Sequence, residues 1–327
     1  MADATISVTV TDADGASATV MVTASNTTAS SWPNLSTTGP AGIGRTTFTP
    51  WPFGGSLGTG DYSKFPTDAN GMHLVEGYDF THSNIGTLAV AAGSKNWRFR
   101  GCLFLNTQLT VIDAGGTPAA NTLIEYCEFG TTDVAKTAVA HHSGGIDKPL
   151  ILYNGHIGEI SHCQFYHFAS AILDPWDTWN IHDNYIFNPR DAGTGSTGDH
   201  TDCIILLSGS QNLTVNHNNI DNRLGQTDCI ALFNNPGSGV HKNVRITNNM
   251  MAGGGFCMYG GAANPPDTGH VNGGIFTGNR FSTKYAANAG GFGPYTADPR
   301  SNGGTNITWS DNRFIDPTGT VDGALIN

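Results

Sequence analysis

The chain has 327 residues, 43 of them glycine and only 13% charged, so it can bury a sizeable core but lacks the charge-patterned stretches of long amphipathic helices. It reads as a turn-dense β protein. Its 26 acidic and 15 basic residues leave a net charge of −11, which repels a phosphate backbone and argues against a nucleic-acid partner. No run approaches the ~18 apolar residues of a membrane-spanning helix, so no membrane insertion is expected.

Met1 to Thr5 show neither the basic region nor the apolar core of a secretory signal. This suggests a protein that reaches the outside as virion components do on host lysis, or a secreted one whose leader has been removed. Residues 4–24 alternate cleanly, with Ile6, Val8 and Val10 before the Asp12 to Gly15 turn and Ala18, Val20 and Val22 after it. That pattern predicts a β-hairpin. A lone hairpin is marginal in water, so within residues 1–24 it is either a remnant or a docking pair that completes a partner's sheet, such as another tail protein's. Residues 25–45, rich in Ser, Thr and Asn, read as linker and cap.

From residue 46 to 327 a phrase recurs: an apolar residue, two variable ones, Cys or Asn, one variable residue, then a large apolar one. The triplets are Phe99/Cys102/Phe104, Ile124/Cys127/Phe129, Ile160/Cys163/Phe165, Ile181/Asn184/Ile186, Val215/Asn218/Ile220, Ile246/Asn249/Met251, Phe276/Asn279/Phe281 and Trp309/Asn312/Phe314. The middle residues are spaced 25, 36, 21, 34, 31, 30 and 33 apart, too irregular for a fixed-length helical repeat. In a straight strand the first residue of each triplet lies on the face opposite the other two. All three point inward only if the chain turns a corner between them, as in a coil of a right-handed parallel β-helix. Stacking would then align a Cys ladder followed by an Asn ladder, with buried amides bonding along the stack. A second series, Ser170-Ala171-Ile172, Asp202-Cys203-Ile204, Asp228-Cys229-Ile230, Phe256-Cys257-Met258 and Asp322-Gly323-Ala324, marks another side of the coil. The six cysteines fall on these two ladders, where parallel side-chain directions suit disulfides poorly. Buried thiols are expected. No Cys/His spacing suggests zinc, and neither metal nor cofactor is expected.

The Trp32-Pro33-Asn34 opening, the Thr38-Gly39-Pro40-Ala41-Gly42 turn and the following coils resemble the pectin-lyase-like β-helix proteins of actinobacteria and their phages, over residues 31–327. The resemblance implies an extracellular or virion-borne protein, such as a phage minor tail or tail-spike-like component, that binds or degrades cell-envelope polysaccharide. Tail spikes often associate as homotrimers, an assembly such a chain could share.

Asp228-Cys229-Ile230-Ala231 resembles the Asp-Asp-Cys-Ile/Val-Ala motif of polygalacturonase-type hydrolases, with Thr227 in place of the first aspartate and no Gly-His-Gly or Arg-Ile-Lys counterpart. Asp199, His200 and Asp202 resemble a His-x-Asp-Gly-Ile phrase of phage and bacterial β-helices. By the second ladder, Asp202 and Asp228 stack one coil apart. Such a carboxylate pair can divide acid from base for glycoside cleavage by a hydrolase or lyase, or it can cap turns. The long return through residues 189–199 would wall this floor, with Arg190 and Arg223 placed to meet an acidic sugar. Asp174, Trp176, Asp177 and Trp179 form an aromatic-acidic cluster one coil earlier. Its tryptophans would either stack on sugar or pack against the next coil. A purely structural β-helix is the remaining alternative.

Overall fold

A computed structural model describes the backbone of residues 4–11 and 17–24, and residues 31–81, 85–111, 120–132, 136, 147–152, 156–175, 177–190, 200–207, 209–233, 239–262, 271–301 and 303–327. The chain divides into two compact units, Met1–Ser31 and Trp32–Asn327. In the first, Ala4–Thr11 pairs antiparallel with Ser17–Ala24, setting Ile6 opposite Val22 and Val8 opposite Val20.

The second unit is a parallel β-helix. Each coil contributes a strand to each of three long parallel sheets in turn: Gln108–Val111 to sheet one, Ala120–Glu125 to sheet two and Glu128–Gly130 to sheet three, before the chain re-enters sheet one at Leu150–Leu152. The recurring phrase lies across the corner from sheet two to sheet three. Its first residues align coil upon coil, Phe99 with Ile124, Ile124 with Ile160, and onward to Phe276 with Trp309. Its last residues do the same, from Phe104 with Phe129 to Phe281 with Phe314. Phe80, Phe104, Phe129 and Phe165 consequently form a nearly parallel ring stack with centroids 4.5, 4.8 and 4.7 Å apart.

The corner has a backbone signature. The residue before each landmark, Gly101, Tyr126, His162, Asp183, His217, Asn248, Gly278 and Asp311, has φ between 49° and 70°. This left-handed conformation is disfavoured for most side chains. It holds in six non-glycine residues because the landmark rewards it with buried hydrogen bonds. Asn249 illustrates the arrangement: its Nδ2 donates to Val215 O at 2.9 Å and Asn279 Oδ1 at 3.1 Å, while its Oδ1 accepts from Asn218 N and Nδ2, both at 3.0 Å. Every valence of the amide is used. In the earlier coils two of the three thiols imitate the amide's main contact, while Cys127 Sγ donates to Glu125 O of its own coil. Cys163 Sγ donates to Ile124 O at 3.5 Å and Cys102 Sγ to Val75 O at 3.3 Å, just as Asn184 Nδ2 donates to Ile160 O at 2.9 Å. All six cysteines are buried and free.

Two features depart from the sequence pattern. Asp322–Leu325 is not a member of the second ladder; it turns back antiparallel on Arg313–Ile315 at the edge of sheet three, and Gly293–Thr296 supplies the sheet-one strand beside Phe256–Ala262. The Asp-Gly-Ala phrase misleads because its flanking turn, not its composition, sets its direction. Residues 32–45 run lengthwise along the coils. Trp32 Nε1 donates to Gly319 O at 3.3 Å, Asn219 Nδ2 to Pro33 O at 2.9 Å, Gln164 Nε2 to Thr38 O at 2.7 Å, and Arg45 pairs with Glu76 at 2.7 Å. The segment thus straps late coils to the first. The core's first end is closed by Trp51, whose ring meets Phe53, Phe65, Tyr78 and Phe80.

Replacing Asn249 by alanine strands the partners on both neighbouring coils and is expected to destabilise the chain by roughly 3 kcal/mol. The exposed Lys242→Ala should change stability by about 0.5 kcal/mol or less. Urea unfolding of the two variants distinguishes a ladder that carries the stack from one that only decorates it.

Candidate functional site

Asp202 and Asp228 open two adjacent sheet-one strands and lie in register. They are 4% and 0% exposed. Neither caps a turn: both oxygens of Asp228 and Oδ1 of Asp202 lack a donor among the described residues. Burial pushes Asp228 well above the usual carboxylate range, and the neighbouring Asp202 charge adds to the shift. Burial also raises Asp202, though less, because its neighbours, the exposed His200 among them, favour the charged form. Both carboxyls thus resist ionisation, Asp228 the more strongly. Asn222, buried beneath, fixes the turn by donating to Thr201 O and Asp228 O, each at 2.9 Å.

The other sequence-chosen residues do not converge on this pair. Arg190 is buried and ion-paired with Asp147, and Arg223 donates to Pro189 O at 3.4 Å, so both guanidinium groups are engaged by the fold rather than held out for an acidic sugar. Trp179 is 1% exposed and fills the space above Gly158, where a Cβ would stand 2.3 Å from its ring; the packing alternative holds, and its ring face is closed to stacking on sugar. Asp174 sits at φ 55° and accepts from Leu207 N at 3.0 Å, a turn-fastening role. Asp177 aligns through its backbone with His156. Its side chain, Trp176, Asp199 and the loop of residues 191–199 lie outside the described residues.

A relay that sequence reading missed occupies the outer edge of the landmark corner. Asp183 Oδ2 meets His182 Nδ1 at 2.6 Å and its Oδ1 meets His217 Nδ1 at 2.5 Å, while His182 Nε2 lies 3.3 Å from Glu159. Trp32 of the strap stacks on His217 at 5.4 Å. Burial pulls the His182 imidazolium down, but the bonds from Asp183 and Glu159 outweigh it and hold its pKa at about 9. Burial pushes Asp183 up, and the two imidazoles override it, leaving the carboxyl below its ordinary range. The signal was available: His182-Asp183 and His217 share neighbouring positions one coil apart.

Sheet two carries a groove of about 400 Å3 on its outer face. The reason lies in one outward column. Asn96 and Asn121 are joined by an amide bond of 3.1 Å, as are Asn212 and Asn243, each residue at positive φ where its strand begins. Between these pairs the register brings Ile157 and Thr178 into the column instead. Ile157 is 57% exposed, a rare position for a large aliphatic side chain. With Leu123 it forms an apolar island edged by Asn121, Asn180, Asn212 and Glu159.

The chain matches no protein-family model, and no curated protein matches it significantly.

Two stability measurements probe these groups. His182 has its pKa raised above the ordinary 6.5, so its stabilisation is complete below that pH and is lost as pH rises through about 9. Melting temperature should therefore fall more steeply between pH 6.5 and 9 in the wild type than in His182→Gln. Asp228 has its pKa raised above 3.8, so native protein holds a proton that unfolded chain releases, and its burial costs stability as pH climbs past that value. Asp228→Asn should melt near the wild type at pH 4 and about 2–4 °C higher at pH 8. An advantage of the same size at both pH values would show that the carboxyl is not held neutral.

Proposed function

We propose that the chain is a polysaccharide-binding β-helix protein of the pectin-lyase-like kind that engages cell-envelope glycan outside the cell that makes it. The observation that carries this reading is the groove on sheet two. An exposed aliphatic island lies on the sheet floor, bordered by the amides of Asn121, Asn180 and Asn212. Apolar contact with a sugar's C–H face, combined with amide bonds to its hydroxyls, is the chemistry such a border offers. The stretch from Asn121 to Asn212 covers three coil steps, about 14 Å, enough for a short oligosaccharide segment.

A second reading, glycan cleavage, is favoured by the unpartnered Asp202 and Asp228 carboxyls. Buried ionisable groups without partners are costly and concentrate where a reaction uses them. In this reading Asp202, the less buried of the two, faces the glycan, Asp228 behind it sets its protonation, and His200 is the exposed neighbour at their edge. The two-stranded sheet of the first unit, which has no third strand among the described residues, supports attachment to a larger assembly such as a virion tail by strand addition.

A glycan array with the full chain tests the first reading, and binding to at least one envelope polysaccharide is expected. A blank array across neutral, aminated and acidic glycans would remove it. Release of reducing ends or unsaturated uronides from the bound glycan tests the second. Asp228→Asn should lower that release at least 100-fold while leaving array binding in place.

A further inference from the structure

We propose that the sheet-two groove takes a neutral, N-acetylated glycan and rejects uronate polymers; this rests on the polysaccharide reading and names the sugar class for that same groove. Charge is the first argument. Among the described lining residues Glu159 is the single ionisable side chain, and no lysine or arginine joins it. Glu159 is kept anionic by His182 at 3.3 Å and by the Ser161 hydroxyl, also at 3.3 Å. A uronate carboxylate laid in the groove would face this charge, and the one cation beside it, His182, is already shared between Glu159 and Asp183.

The nearby cations are engaged elsewhere. Arg98 pairs with Asp68 at 2.7 Å and Glu125 at 2.8 Å; Arg100 pairs with Glu76 at 2.8 Å and Glu125 at 2.9 Å. His182 is bound between Glu159 and Asp183. Arg245 stands one coil past Thr214, outside the lining. Among the described residues, the cations nearest the groove are thus held in carboxylate pairs or stand beyond its lining.

The amides supply the second argument. Asn121 spends a donor on Asn96 Oδ1, and Asn212 spends its acceptor on Asn243 Nδ2. Asn121 keeps its Oδ1 and one N–H, and Asn212 its Nδ2 and one lone pair, for a ligand. An acetamido substituent carries one N–H donor and one C=O acceptor, so either end of the groove can bond it. Its methyl group also needs an apolar contact. Ile157, 57% exposed beside Leu123, provides one without any fold requirement of its own for exposure. A plain hydroxylated glucan would satisfy the amides but leave this methyl-sized apolar contact unused.

The test is calorimetric titration of the full chain with four soluble oligosaccharides of equal length: an N-acetylglucosamine oligomer, its de-N-acetylated form, a cello-oligomer and an oligogalacturonate. The N-acetylated oligomer should bind at least 10-fold more tightly than the cello-oligomer, and the oligogalacturonate should bind weakest. Ile157→Asp, at a position 57% exposed, should weaken the N-acetylated oligomer at least 10-fold in a variant whose melting shows it folded. Glu159→Gln should raise affinity for the oligogalacturonate. Equal binding of the cello- and N-acetylated oligomers would overturn the acetamido assignment, and tightest binding of the oligogalacturonate or the de-N-acetylated oligomer would overturn the sugar class; both results would leave the polysaccharide reading standing. N-acetyl binding indifferent to Ile157→Asp would overturn the site. No binding to any of the four, together with a blank glycan array, would remove the polysaccharide reading itself.

Discussion

The structure depends on one buried hydrogen-bond ladder at the corner between sheets two and three. Turning that corner costs each coil a left-handed residue, and most of these residues are not glycine. The landmark amide or thiol behind the turn offsets the strain by bonding a carbonyl, that of the preceding coil everywhere but at Cys127. In the asparagine coils it also bonds the next landmark. Because each asparagine from Asn184 to Asn279 bonds both its neighbours along the stack axis, a coil cannot slip in register without stranding buried polar groups. Register at one corner then dictates register on all three sheets.

This dependence explains what sequence could reveal. The eight triplets were legible because inward positions are under three simultaneous demands: apolar bulk, ladder chemistry and a left-handed residue between them. Sheet one was read correctly where it carries Cys203, Cys229 and Cys257, and misread at Asp322, where composition imitates the ladder but the chain has already reversed. Gly293–Thr296 was missed because glycine and proline there carry no inward pattern. The strap at residues 32–45 was illegible for a different reason. Its fixing bonds run through backbone carbonyls to Asn219 and Gln164, more than a hundred residues away, and backbone acceptors leave no mark on composition.

The candidate sites divide along the same line. Stacking of Asp202 on Asp228 followed from the ladder and holds, and so does the proximity of His200. Side-chain direction is what spacing leaves open. Arg190 and Asp174, whose chemistry would suit a sugar, are engaged by the fold, and Trp179 takes the packing alternative that the sequence already offered, because a side chain at a coil edge finds a neighbouring coil before it finds solvent. Spacing predicts which residues stack; it does not predict which way an arginine or tryptophan turns.

A solenoid of this kind makes the outward columns informative in a way the inward ones are not. Inward positions repeat because the stack requires it, so repetition there says nothing about function. Outward positions are free to vary, and where a column of paired asparagines forms and is then broken by Ile157 and Thr178, stacking alone does not account for the break. The same reasoning applies to Asp228. Its column could hold a serine, as Ser170 shows one step away in register with Asp202, and a serine would avoid a buried carboxyl with no donor. Both sites are departures from what the ladder needs. Residues that relieve no demand of the fold, and add a cost to it, are where a function on this scaffold has to be sought.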